Sequence, residues 1–404
     1  MKFGIIRERK SPPDKRVVFS PEKLKELVKL YPQATVKVEP SDIRVFNEEE
    51  YRGAGIEISS DLSDCDVLLG VKEVPVDALI PNKKYFFFSH TIKKQPYNQK
   101  LLQAVLDKNI DLYDHETIVD ASNRRLIGFG RYAGNVGAYN GFRAFGMKYG
   151  LFDLPKAETL ADKQALIAKL RKQVLPPIKI MLTGKGKVGM GVKEILDAIK
   201  IKEVPVEDFL NKTYTNPVYV QLDVLDYNKR EDGKILDNND FYTNPDAYVS
   251  DFERFTKAAD IYMAGHFYGN GAPAILTREM LKAKDNRIKV VADISCDVNG
   301  PVASTVRAST IAQPFYGYNP HDGEEVDMFH PAAIAVMAVD NLPCELPKDA
   351  SEGFGKMFLE HVIPAFFDGD KEGILKRAQI TEQGRLTERF KYLKGYVNEN
   401  HLTH

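Results

Sequence analysis

Cysteine is scarce and scattered. Cys65, Cys296 and Cys344 are the only three in 404 residues, and no two form a CxxC pair. That excludes a disulfide framework, favours a reducing cytoplasm, and leaves each thiol to read as a small buried hydrophobe. No Cys/His cluster has ligand spacing, so no metal site is expected. Charge of one sign is also missing: 56 Lys and Arg stand against 57 Asp and Glu. Nothing in bulk charge therefore favours nucleic acid or an anionic membrane as partner. Long apolar runs are absent. "YFFFSH" is strand-sized, far short of the roughly 20 residues a membrane span needs. The start, "MKFGIIRERK", lacks the apolar core of a signal peptide. There is no repeat and no low-complexity tract. What remains is an ordinary globular composition in a chain too long for one core. Small-molecule substrates are the expected partners. Oligomeric state is not legible, and a homo-oligomer stays open.

What is present is an alternation of strands and helices. "KFGIIRE" predicts a first strand. "SPEKLKELVKLYP" predicts a helix with Ser20 as N-cap, Pro21 at its first position, and Leu24, Leu27, Val28 and Tyr31 on its apolar face. "ATVKVEP", "DVLLGVKEVP", "KYFFFSHT" and "IDLYDHETIVD" read as further strands. "YRGAGIEIS" reads as a short helix and strand, and "QPYNQKLLQAVLDKN" as a helix. Residues 1–130 therefore suggest a parallel α/β domain. "GRYAGNVGAYNGFRAFGMKYG" has Gly and Ala at helical spacing, as suits a helix lying close to a neighbour while passing between domains. A polar amphipathic helix and "LPP" follow.

"PIKIMLTGKGKVGMGVKEILDAIK" is a strand, a glycine-rich turn and a helix. Gly184, Gly186 and Gly189 make GxGxxG in the context that a dinucleotide fold requires. Such a turn brings backbone N–H groups, among them those of Lys187 and Val188, and a helix N-terminus close to a pyrophosphate. Glu207 follows Gly184 by 23 residues, where an acid commonly holds the adenosine ribose. Glu203 competes for that place. An acid there repels a 2′-phosphate, so NAD is favoured and NADP stays possible. The bland alternative is a merely tight turn. No GK[ST] closes the loop, so it is no triphosphate P-loop.

Asn211 to Asp251 reads as irregular. "AADIYMAGHFYGNGAP" and "RIKVVADISCDVNGP" then resume the rhythm, each ending at the strand edge where α/β sheets bind ligands. The expected fold is α/β, with two doubly wound Rossmann-like domains flanking an interdomain cleft. Residues 1–140 plus 331–404 would form the catalytic and substrate domain, and 141–330 the dinucleotide domain.

Chemistry is expected at strand ends. Lys72 follows "DVLLGV", where partial desolvation lowers a lysine pKa and suits it to proton transfer. His90 follows "YFFFS", and Glu116 and Asp120 follow "IDLYD". Each alone has a bland reading as a snorkelling lysine, a satisfied histidine or solvated acids. Together, at equivalent strand ends, they suggest one site. The remaining histidines offer no such context, and His401 and His404 fall in the C-terminal tail.

The stretches "KRVVFSP", "GVKEVP", "FFFSHTIKKQPYNQKLL", "LYDHETIVD", "FGRYAGNVGA", "NPDAYVSDFERF", "VVADISCDVNGP" and "VDNLPCELPKDAS" spread in order over nearly the whole chain. In them the sequence resembles the lysine-forming saccharopine dehydrogenases. It is especially similar to the lysine–ketoglutarate reductase domain of the bifunctional lysine-degradation enzyme, within the alanine dehydrogenase and transhydrogenase superfamily. The resemblance implies a catalytic lysine at Lys72, a catalytic histidine at His90, and a carboxylate-binding arginine at Arg16. It also implies substrate contacts from Lys93, Glu116 and Asp120, a second arginine clamp at Arg143, and an aspartate near the nicotinamide at Asp297. Arg143 follows the stand-alone enzymes, whereas the insertion at 211–250 follows the bifunctional one. "GKGKVG" differs from the usual loop of both.

The implied reaction interconverts saccharopine with L-lysine and 2-oxoglutarate by hydride transfer and imine hydrolysis or formation. An alanine dehydrogenase-like enzyme would share Lys72, His90, Arg16 and Asp297 without needing a second clamp. A catalytically silent NAD-binding homologue is the alternative from another class.

Overall fold

The computed structural model describes residues 1–398, so His401 and His404 lie outside the described part. The chain divides into two compact units, Met1–Phe129 with Pro347 onward, and Gly130–Leu346.

The first unit is built on β1 (Lys2–Ile5), β2 (Thr35–Val38), β3 (Glu57–Ile58), β4 (Val67–Lys72), β5 (Lys84–Phe88) and β6 (Asp111–Asp114), with helices α1 (Pro21–Leu30), α2 (Glu48–Gly53) and α3 (Gln99–Asp107). All six strands run parallel in the order β3-β2-β1-β4-β5-β6. Buried-on-both-faces strands such as β4 and β5 explain the continuous apolar runs "VLLGV" and "YFF". The α1 start follows the sequence: Ser20 accepts from the Lys23 N–H at 3.2 Å, Pro21 opens the helix, and Leu24 and Leu27 are buried. β1 lies centrally, so the crossovers reverse there and the carboxyl ends of β1, β4, β5 and β6 gather their loops on one edge.

The second unit opens with α4 (Gly130–Tyr149), then α5 (Lys163–Arg171), β7 (Lys179–Thr183), α6 (Lys187–Ala198), β8 (Lys202–Glu203), α7 (Val206–Asn211), β9 (Val218–Leu222) and α8 (Val224–Tyr227). It continues through β10 (Asn228–Arg230), α9 (Asn238–Thr243), β11 (Tyr248–Ser250), α10 (Glu253–Thr256), β12 (Ile261–Ala264), α11 (Arg278–Lys282), β13 (Val290–Asp293), β14 (Phe315–Asn319), β15 (Glu324–Val326) and β16 (Ile334–Met337). The main sheet has eight strands in the order β15-β14-β16-β13-β12-β7-β9-β8, and β10 and β11 form a separate hairpin. After Pro347 the chain rejoins the first unit with α12 (Pro347–His361), α13 (Ile374–Ala378), the hairpin β17 (Thr381–Glu382) and β18 (Arg385–Leu386), and α14 (Lys394–Asn398).

Two expectations differ from this. The segment Asn211–Asp251 is not irregular. It contains β9, which is buried at four of five positions and pairs with β7 along its full length. A short strand covered on both faces has no two-residue period to betray it. The unit boundaries fall at 129/130 and 346/347 rather than at 140/141 and 330/331. α4 belongs whole to the second unit because its glycines seat it on α6. A Cβ on Gly134 would lie 2.1 Å from the Val188 carbonyl oxygen, and one on Gly191 would lie 2.0 Å from that of Arg131. A break at 331 would also sever β16 from β13, its ladder partner.

Candidate functional site

In the first unit Lys72 and His90 lie at strand ends, and buried carboxylates organise them. Lys72 ends β4, where the ladder with β5 slips between Leu69 and Lys72. Glu8, from the loop after β1, covers that slip: its carboxylate accepts the N–H groups of Val71 at 3.2 Å and Lys72 at 2.6 Å. Burial pushes the Glu8 carboxyl up to about 7 against those backbone bonds. Lys72 Nζ lies 3.9 Å from Asp14 Oδ2. Asp14 is buried and bound by Arg16, whose Nη2 donates at 2.7 Å and whose guanidinium stacks 4.3 Å from the Phe129 ring centroid. Burial works to raise Asp14, but Arg16 and then Lys72 prevail and hold it below the usual carboxylate range.

His90 follows β5 with φ of 55°, a left-handed conformation unusual outside glycine. Its Nδ1 stands 3.4 Å from Glu73 Oε2, and Lys10 holds the other Glu73 oxygen at 2.5 Å. Glu73 is mainly what raises the His90 pKa. Burial opposes ionisation of Glu73, yet His90 and Lys10 bring its pKa down to about 2. Below them, Asp114 ties β5 to β6: Oδ2 accepts the Ser89 N–H and hydroxyl, and Oδ1 accepts the Glu116 N–H. Glu116 is half-buried and adds to the field that favours protonated His90. Asp120 has a local job instead. Its carboxylate caps the turn through the N–H groups of Ser122 and Arg124 and pairs with Arg124 Nε at 2.9 Å. Lys93 is exposed in the turn beyond Thr91. His115 is fully buried, with Nε2 2.7 Å from the Gly70 carbonyl oxygen, and burial pushes it down to about 4, so it stays neutral.

The second unit carries the glycine turn. Gly184 has φ of 105°, and an added Cβ would meet the Gly265 carbonyl oxygen at 2.3 Å; one on Gly189 would meet that of Gly184 at 2.1 Å. Only glycine lets the turn close this tightly. At Gly186, the N-cap of α6, an added Cβ would meet nothing within 4 Å. An open hollow of about 620 Å³ lies there, lined by Arg131, Lys185, Gly186, Lys187, Met190 and Glu194. Val188 stands in the first turn of α6 behind it. A cradle closed on one side and open at the helix N-terminus, with two lysines beside it, fits a dinucleotide pyrophosphate. A larger hollow of about 1100 Å³ lies along β17 and β18 and is lined by none of the predicted site residues.

The acid predicted for the ribose does not follow the strand that lies beside β7. Glu207 is exposed in the first turn of α7, beyond β8, and β8 pairs with β9 rather than with β7. The strand beside β7 is β9, which ends at Leu222, so Asp223 is the acid next to the turn. Asp297 is exposed in the tight loop after β13, beneath which Asp293 is buried and bonded by Ser295, Cys296 and Thr305. Arg143 is buried in α4. Its Nε donates to the Leu154 carbonyl oxygen at 3.1 Å, its guanidinium stacks 5.2 Å from the Phe315 centroid, and its Nη1 has no hydrogen-bond partner among the described residues. Burial lowers its pKa. Sequence reasoning missed Glu8, Asp14, Glu73, Asp114 and His266. His266 follows β12, is buried, and joins Thr183 Oγ1 through Nδ1 at 3.1 Å.

Comparison with known proteins agrees with this layout. Residues 4–136 match the model of the alanine dehydrogenase/PNT N-terminal domain. The chain is 29% identical over 401 residues to alpha-aminoadipic semialdehyde synthase of Arabidopsis thaliana, aligning 89% of this chain with 38% of that protein. It is 26% identical to the mitochondrial enzyme of that name from Rattus norvegicus, aligning 97% of this chain with 47% of the relative. It thus spans less than half the length of these relatives. Saccharopine dehydrogenase [NAD(+), L-lysine-forming] of Yarrowia lipolytica is 24% identical, over 81% of this chain and 83% of that one. Among solved structures, an L-alanine dehydrogenase superposes with a TM-score of 0.67 over 99% of both chains at 16% identity. The transhydrogenase from Sinorhizobium meliloti gives 0.61 at 17% identity, over 96% of this chain and 100% of that one. The fold is therefore that of two Rossmann-like domains, and by sequence the chain is similar to alpha-aminoadipic semialdehyde synthases and saccharopine dehydrogenases, with residues 4–136 matching the alanine dehydrogenase/PNT N-terminal domain model.

Proposed function

We propose that this chain is a nicotinamide-dependent oxidoreductase interconverting saccharopine with L-lysine and 2-oxoglutarate. The observation that carries the reading is the pairing at one sheet edge of two proton-transfer groups with buried acids, Lys72 with Asp14 and His90 with Glu73. Relatives named for saccharopine chemistry support it. The dinucleotide, held by Gly184, Gly186, Lys187, Val188 and Gly189, supplies acceptance and return of a hydride. The residues of the chain manage protons and carboxylates. In the lysine-forming direction the secondary amine of saccharopine must lose a proton as hydride leaves its carbon, and Lys72 takes that proton. Water then adds to the substrate imine; His90, backed by Glu73, accepts a proton from the water and returns one to the departing lysine nitrogen. Arg16, fixed by Asp14, receives a substrate carboxylate, and Arg143 is the second clamp through its unspent Nη1. Glu116, with Lys93 and Asp120 at the rim, receives the charged groups of the lysine portion, and Asp297 faces the nicotinamide. NAD is favoured over NADP because the acid nearest the turn would repel a 2′-phosphate.

A substrate screen decides the matter. NADH oxidation with 2-oxoglutarate plus L-lysine is the expected activity. Turnover with pyruvate plus ammonia instead would make the chain alanine dehydrogenase-like. NADH binding without turnover of any keto acid and amine pair would mark a silent homologue.

A further inference from the structure

The hollow of about 1100 Å³ along β17 and β18 has the size of an organic ligand site, and folding accounts for its backbone but not for its charges. The backbone covers a sheet edge. β6 is the last strand of its sheet, and the chain running into β17 lies along it. The Ile380 N–H donates to the Leu112 carbonyl oxygen at 2.7 Å, and Thr381 Oγ1 accepts the Leu112 N–H at 2.9 Å. β18 then returns antiparallel to β17, and Thr387 Oγ1 donates to the Gln379 carbonyl oxygen at 2.6 Å. None of this needs the side chains that line the hollow. Five of those are cations, Lys376, Arg377, Arg385, Arg389 and Lys391, against three acids. Two of the acids are committed. Asp370 accepts the N–H groups of Leu375 at 3.0 Å and Lys376 at 2.9 Å, and Glu388 pairs with Lys391. The third, Glu382, stands opposite Arg385 in the β17–β18 ladder. Among the described residues no carboxylate forms an ion pair with Lys376, Arg377, Arg385 or Arg389.

Two of these four cations also hold the turn after β6. Arg377 Nε donates to the Val119 carbonyl oxygen at 3.1 Å and its Nη2 to that of Glu372 at 2.7 Å. Arg389 Nη2 donates to Asn123 Oδ1 at 2.6 Å. A guanidinium has more N–H donors than these bonds use, so each is fixed in place with donors to spare. We infer that the hollow binds a phosphorylated small molecule through Lys376, Arg377, Arg385 and Arg389, and that the occupant firms the turn 119–125. The inference goes beyond the oxidoreductase reading and does not depend on it. Leu375 and Leu386 are the only large apolar side chains in the lining, so attraction must come from charge. A phosphate group brings nearly two negative charges and several acceptor oxygens on one compact centre, and arginine forks meet such a group with paired bonds.

The test is a calorimetric titration of the full chain with inorganic tripolyphosphate at low ionic strength, in the presence of excess NADH. The wild type should bind it. Arg385→Gln and Arg389→Gln should each weaken binding about 10-fold, as loss of a charge-assisted contact does. Lys172→Gln removes an exposed cation from α5, outside the hollow, and should change nothing. Amide hydrogen exchange over 119–125, where the N–H groups of Asp120 and Asn123 are bonded within the turn, should slow when the anion is added. A wild type that takes up no tripolyphosphate overturns the site. So do arginine variants that bind as the wild type does, or a Lys172→Gln chain weakened equally. Citrate bound more tightly than tripolyphosphate overturns the phosphate assignment, and exchange over 119–125 that ignores a bound anion overturns the link to the turn.

Discussion

Gly134→Ala separates helix propensity from packing, because the two predict opposite signs. Gly134 is interior to α4, and replacing an interior helical glycine by alanine ordinarily gains about 1 kcal/mol. Here the new methyl would stand 2.1 Å from the Val188 carbonyl oxygen, 2.8 Å from the Val192 nitrogen and 2.9 Å from the Gly191 Cα. All three are backbone atoms of α6, so no rotamer change relieves them, and the helices must part. Overpacking of this kind costs about 1–3 kcal/mol, and contact with backbone argues for the upper end. The net loss is about 2 kcal/mol, or roughly 4–8 °C in the melting of a unit this size. Gly53→Ala is the control. It closes α2, an added Cβ there meets nothing within 4 Å, and it should raise stability by about 0.5–1 kcal/mol. Differential scanning calorimetry on both variants reads the difference. Because α6 bears the glycine turn, Gly134→Ala should also weaken NADH. A melting temperature at or above that of the wild type refutes the close crossing of α4 on α6.

Three further outcomes follow from the charged groups. Lys72→Met should cut turnover at least 100-fold while leaving the NADH dissociation constant unchanged; unchanged turnover removes Lys72 from the mechanism. Glu73→Gln withdraws the main cause of the raised His90 pKa, so the acid limb of the kcat profile, where a base must be neutral, should move to lower pH; an unmoved limb means that another group titrates. Glu345 is buried, accepts from Asn140, and is pushed up by burial from 4.5 to about 7. The folded state keeps a proton that the unfolded chain has lost, so stability falls as pH rises from 4.5 to 7, by about 3 kcal/mol at most. Glu345→Gln, which has no proton to lose, should lessen the slope of the melting profile over that window, with Glu8, likewise pushed up to about 7, supplying a remaining part; profiles that stay parallel exclude Glu345 as a cause.

Much of the scaffold was legible because burial leaves a local mark. The Ser20–Pro21 start of α1, the apolar runs of β4 and β5, and the turn at Gly184 each declare themselves within a few residues, and Lys72 and His90 follow from where those runs stop. The groups that tune them were not legible. Asp14 looks like a loop acid until Arg16 folds back on it, and Glu8 reaches the Lys72 backbone across 64 positions of chain. Glu73 was adjacent to Lys72 in plain view. On a regular strand, neighbours point to opposite faces, so adjacency alone does not bring it to the same site. The slip in the β4–β5 ladder removes that alternation at the strand end, so Lys72 and Glu73 both serve the one edge.

The spacing rule for a ribose acid carries a premise about strand order. Counting about 20 residues past the turn finds the right acid only if the strand after the first helix lies next to the first strand. Here α6 leads to β8 at the sheet edge, and the chain then returns through α7 to lay β9 between β8 and β7. The displacement has a reason in composition. β8 is two exposed residues, Lys202 and Glu203, fit for an edge, whereas "VYVQL" is β-branched and aromatic and pairs with β7 over five residues. The more apolar strand takes the interior place, so the acid that follows it, Asp223, lies next to the glycine turn while Glu207 lies beyond the edge strand.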